Sequence, residues 1–185
     1  MFTFSRPRKV SQVLGAMSLA AMTTSVLAQT PAPRAALAQN RLEKEVRRVL
    51  VTLPFYSVFD NLAYKVDADH VTLVGQVVTP KMRSDAEKAV KSIEGVAGVN
   101  NQIEVLPLSP MDDQIRRAEF RAIYSAPGMD KYAIQAVPPI HIVVKGGNVT
   151  LVGAVASQMD KAIAEMRAKS VPGVFSVGDE LMVEK

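Results

Sequence analysis

Apolar positions recur with a helical period from residue 40 onward: Leu42, Val46, Val49, Leu50 and Leu53 share one side, behind Asn40 as a candidate N-cap. The pattern then changes to alternation, Leu62, Tyr64 and Val66 against Ala63 and Lys65, which predicts a strand. Asp67-Ala68-Asp69-His70 has the composition of a tight turn, and residues 71–77 read as the second arm of a hairpin. Thr79-Pro80 opens a second helix, with Pro at its first position and Met82, Ala86, Val90 and Ile93 in one stripe. Gly95 is placed to stop it, and residues 99–106 predict a last strand.

This order occurs twice. Val71-Thr72-Leu73-Val74-Gly75 returns letter for letter as Val149-Thr150-Leu151-Val152-Gly153, 78 residues later. The same offset pairs Ala86 with Ala164, Glu87 with Glu165, Gly95 with Gly173 and Val105 with Val183. Upstream, Val46-Arg47-Arg48 echoes Ile115-Arg116-Arg117 at an offset of 69, which predicts about nine extra residues after the first helix of the second copy. That helix carries Ile115, Ala118, Ala122 and Ile123 behind Asp112, and Ile140, Ile142 and Val144 form the strand after it. Ser157 opens the last helix. The fold class expected is α+β: two αββαβ modules, each a three-stranded mixed sheet with both helices on one face. The boundaries expected are a leader at 1–28, a flexible Ala- and Pro-rich spacer at 29–39, and modules at 40–108 and 109–185.

The leader is a charge argument. Arg6, Arg8 and Lys9 precede a stretch, residues 10–27, with no charge, and Val26-Leu27-Ala28 suits cleavage before Gln29. The alternative is a retained anchor helix, which Ser, Thr and Gly along the stretch disfavour. The whole chain of 185 residues has 22 basic and 18 acidic side chains, for a net charge of +4. Removing three basic residues with the leader leaves 19 against 18, so a nucleic-acid partner is not expected. The chain contains no Cys, which excludes thiolate metal sites, a Cys nucleophile and disulfides. An exported location, periplasmic or secreted, follows from the leader.

Candidate chemistry is sparse. Asp67, Asp69 and His70 are adjacent metal-ligand types, but the second copy has Lys145, Gly147 and Asn148 there. No Gly-x-Ser-x-Gly, Walker or His-Glu-x-x-His motif is present, and His70 and His141 are the only histidines. No catalytic residue, metal site or cofactor is expected. Gly75 and Gly153 read as structural bends within strands.

The strings Val71-Thr72-Leu73-Val74-Gly75-Gln76-Val77 with Gly95-Val96-Ala97-Gly98-Val99, and residues 149–155 with Gly173-Val174-Phe175-Ser176-Val177, resemble the BON domain family. The resemblance implies tandem αββαβ modules in periplasmic or outer-membrane-associated proteins. It further implies non-catalytic roles: phospholipid binding, envelope integrity, or chaperone-like protection under osmotic stress. The second copy departs from the simplest pattern at residues 125–139, which hold four Gly and Pro residues: Pro127, Gly128, Pro138 and Pro139.

One asymmetry points to a surface. The last helix keeps Ala164, Ala168 and Val171 at core positions and adds Met159, Ile163 and Met166, about a third of a turn away. Two apolar stripes exceed what one sheet covers, and Lys161, Arg167 and Lys169 flank the second. The expected partner is an anionic phospholipid or membrane surface, with envelope proteins as the alternative; packing against the other repeat is the structural account of the same stripe.

Overall fold

The computed structural model describes residues 33–135 and 137–184. The leader expected at 1–28 and the first four spacer residues lie outside them. In the first repeat α1 (Pro33–Val51) leads to the hairpin β1 (Asn61–Asp67) and β2 (His70–Val77), then α2 (Pro80–Lys91), β3 (Gly98–Asn101) and β4 (Glu104–Val105). The second runs α3 (Pro110–Tyr124), a 3-10 turn at Asp130–Tyr132, β5 (Ile140–Lys145), β6 (Asn148–Val155), α4 (Gln158–Lys169) and β7 (Ser176–Val183). Hairpin strands pair antiparallel, and the last strand of each repeat joins β2 or β6 in parallel, so both sheets are mixed. The expected class is the observed one.

Alternation fixes which face is buried. Val71, Leu73 and Val77 of β2 meet Leu42, Val46 and Leu50 of α1 and Met82, Ala86 and Val90 of α2 in one core. Both helices therefore cover the same face. The first sheet has four strands because its last strand is interrupted. On either side of Gln102-Ile103 the two pieces pair with β2 in one unbroken register, His70 with Gly98 and Val77 with Val105, 28 residues apart in each case. The Asn101 side chain takes the stranded Ile103 N–H at 3.1 Å, and Asp179 does the same for Leu181 at 3.0 Å.

Four details differ from the sequence reading. Residues 33–39 are the first two turns of α1 and not spacer, since Pro suits a first turn and the Ala-rich run has high helix propensity. Asn40 is consequently inside the helix. Ser109, not Asp112, caps α3. Asp112 instead accepts both turn N–H groups of the second hairpin, Gly146 and Gly147, at 2.9 Å each. Gly95 and Gly173 sit in turns beyond the helix ends, which Ser92 and Ser170 cap.

The fourth difference concerns the repeat itself. Thr52→Arg48, Leu53→Leu50 and Tyr56→Leu53 backbone bonds recur as Ser125→Arg121, Ala126→Ile123 and Met129→Ala126, all 73 residues later. The first helices thus align at 73, one helical turn from the 69 that the Arg-Arg echo suggests. The insertion is five residues, 134–138, and not nine.

The repeats meet through the chain after α1. Val58 is buried in the second repeat's core, and its carbonyl accepts from Ile142 N–H at 2.8 Å. Asp60 holds this loop: its carboxylate accepts from Ser57 N–H, the Ser57 hydroxyl and Val78 N–H, at 3.1, 2.8 and 2.9 Å. Asp60→Ala strands three donors beside both cores, and urea unfolding is expected to read a loss of about 2–4 kcal/mol in a single transition.

Candidate functional site

The outward face of α4 is set by how its first turn is anchored. Ser157 accepts from Asp160 N–H at 3.1 Å, and Tyr132 of the 3-10 turn donates its hydroxyl to the Asp160 carboxylate at 2.8 Å. Lys131 adds a 2.9 Å bond and holds that carboxyl below its ordinary range. With Asp160, Ala164 and Ala168 buried, the helix turns Met159 and Met166 outward, 72% and 61% exposed. Ile163 is half-buried and packs on the second core. The predicted stripe is therefore two exposed methionines with a core residue between them.

The flanking cations are not equivalent. Lys161 Nζ donates to the Leu181 carbonyl at 2.6 Å and lies 3.5 Å from Asp179, and Lys169 pairs with Glu165. Arg167 is exposed, with no ion pair among the described residues. Seventy-eight residues earlier, α2 has Lys81, Asp85 and Lys88 where α4 has Met159, Ile163 and Met166. Lys81 pairs with Asp85, so the first repeat's helix has an ordinary solvated face.

Gly75 and Gly153 are structural. At φ 120° and 133°, a Cβ on each would fall 2.0 and 1.9 Å from the carbonyl oxygens of Asn61 and Pro139. The strand neighbour occupies the space a ligand would need. Among the described residues no three His, Asp or Glu side chains gather as a metal site. His70 is exposed beside Asp69 at 2.7 Å. His141 is mostly buried, its pKa lowered by that burial, with Nε2 3.5 Å from the Tyr56 hydroxyl and ring centroids 5.6 Å apart. Burial pushes Tyr56 up to about 12.

Two features escape the sequence reading. Arg47, Leu50, Val51, Tyr56, Leu62 and Tyr64 line an open groove of about 310 Å³ on the first repeat, near the small end of ligand-sized pockets. Its polar members are scattered through α1, the loop and β1, so no motif announces it. Glu119 of α3 is fully buried, and neither carboxylate oxygen has a partner among the described residues. Desolvation alone raises its pKa to about 8.

Paired αββαβ modules joined core to core define a tandem repeat of one small α+β fold. The chain belongs to the BON domain family, whose model matches residues 38–107 and 128–185. Membership of this family indicates a non-enzymatic, envelope-associated module. Among the described residues no helix is long and apolar enough to cross a membrane. No curated protein matches the sequence. Two solved structures of CdsD, a structural protein of the type III secretion system of Chlamydia trachomatis, one of them its C-terminal domain, are similar at 10% and 11% identity. They cover 78% of this chain and 98% and 94% of their own, with TM-scores of 0.31 and 0.30.

Proposed function

We infer that the protein is an exported, non-catalytic module of the bacterial envelope that rests on anionic phospholipid surfaces through α4 of its second repeat. The observation that carries this reading is the exchange of Lys81 and Lys88 on α2 for the exposed Met159 and Met166 on α4. Two flexible thioethers on one helix face add apolar area that can enter the headgroup boundary, and Arg167 beside them adds attraction to anionic lipid. Lys161 and Lys169 contribute less, being held by Leu181 and Glu165.

Contact through two side chains is weak and screened by salt. Co-sedimentation with phosphatidylglycerol vesicles is expected to recover the protein at low salt, and phosphatidylcholine vesicles should recover much less. Met159→Ser with Met166→Ser removes about 2–3 kcal/mol of apolar transfer and is expected to weaken binding by at least tenfold. The melting temperature should be unchanged, because both side chains are exposed. Equal recovery with anionic, neutral and no vesicles contradicts the reading. So does a double variant that binds as the parent does.

A further inference from the structure

The two repeats treat one surface differently. In the second, Ile123, Tyr124, Met129, Ile140 and Ile142 are buried, and the first repeat helps to bury them. Val58 lies in their core cluster, and the Phe59 ring stands edge-on to Phe120 at 6.4 Å. Their counterparts in the first repeat, 73 residues earlier on the helix and loop and 78 on the strand, are Leu50, Val51, Tyr56, Leu62 and Tyr64. With Arg47, the counterpart of Phe120, these residues line the open groove. The joint between repeats is therefore a loop after the first helix seated on the next module. The first repeat has the seat, and among the described residues it stands open.

The second repeat has the matching loop. Its insertion at 134–138 falls just where the Val58-Phe59 loop leads into β1 in the first repeat, and it carries Ile134 at 83% exposure. Asp130, exposed and four residues before Ile134, complements Arg47 at the groove's rim. By the same offset Lys131 and Tyr132 stand where Val58 and Phe59 stand and are held by Asp160 of their own repeat, so the large apolar side chain this loop presents outward is Ile134, in the insertion.

We propose that Ile134 of one copy docks in the Arg47–Tyr56–Tyr64 groove of a second copy, a loop after a first helix seated on the next module, head to tail. Donor and acceptor are different patches, so the contact is heterologous and extends into chains instead of closing as a two-fold dimer. A loop in a small groove buries less than a standard interface, and the expected Kd is about 0.1–1 mM.

Sedimentation equilibrium of the purified protein, without lipid, tests this independently of the vesicle reading. The parent's weight-average mass should rise with concentration. Ile134→Asp and Val51→Asp, the latter at a position 47% exposed, should each weaken association at least tenfold at unchanged melting temperature. Mixed together they should form a one-to-one dimer and nothing larger, because Ile134→Asp keeps its groove and Val51→Asp keeps its loop. Arg47→Glu, at an exposed position on the groove, should behave as Val51→Asp does. A parent that stays monomeric to about 3 mM overturns the proposal, as that is several times the expected Kd. So do variants that associate like the parent, or a mixture that stays monomeric.

Discussion

Glu119→Leu is expected to melt about 6–12 °C above the parent at pH 8, with more than half of that gain gone at pH 5. Glu119 occupies the place of Val46 in the first repeat, and both positions are fully buried. A carboxyl there has no hydrogen-bond partner among the described residues, so its charged form is penalised without compensation. Its folded pKa stands near 8, above the ordinary carboxylate value of 4.5. Between those two values the unfolded chain has released its proton while the folded chain keeps it. Stability therefore falls as pH rises from about 4.5 to 8, by on the order of 3–4 kcal/mol. A leucine removes that slope and the cost of the unpaired acid together. Glu119→Gln should remove the slope alone. A Leu variant whose advantage is the same at pH 5 and pH 8 would contradict this account.

Gly153→Ala should be the most damaging single-methyl change in the molecule, at about 3–5 kcal/mol. Two independent effects add. The backbone at φ 133° strains any L side chain, and the new methyl carbon meets the Pro139 carbonyl oxygen at 1.9 Å. Because that oxygen belongs to the neighbouring backbone, relief requires β5 to move, and β5 carries Ile140 and Ile142 into the core. Gly178→Ala is the control. Its φ is not in the left-handed region, and the nearest atom to an added Cβ is 3.6 Å away, so a change within about 1 kcal/mol is expected. Urea unfolding of the two variants separates the effects, and equal stability would falsify the steric argument.

Much of the architecture was legible because the chain states it twice. The Val-Thr-Leu-Val-Gly strings, the alternation along β1 and the Thr79 and Ser157 caps all appear where periodicity and cap chemistry put them. The helix register was not legible for a physical reason. Offsets of 69 and 73 differ by one turn, which leaves the same residues on the buried face, so hydrophobic pattern cannot choose between them. The backbone bonds after each helix can. Buried polar groups were equally hidden: Asp60, Asp112 and Asp160 read as solvated acids until their donors, contributed from distant positions, are in place. On the candidate surface, sequence identified the helix and both methionines. It overestimated Ile163, because a position a third of a turn from the core stripe can still touch the core at the helix flank. Sequence also counted Lys161 and Lys169 as available, since their partners lie on β7 and one turn back.

The claim that carries the functional reading is a contact between the α4 face and an anionic lipid surface. Amide hydrogen exchange with and without phosphatidylglycerol vesicles reads that contact residue by residue. Slower exchange is expected along residues 158–169, centred on Met159 and Met166, with the first repeat's α2 unchanged. Protection spread evenly over both repeats, or confined to α2 or the groove on the first repeat, would contradict it.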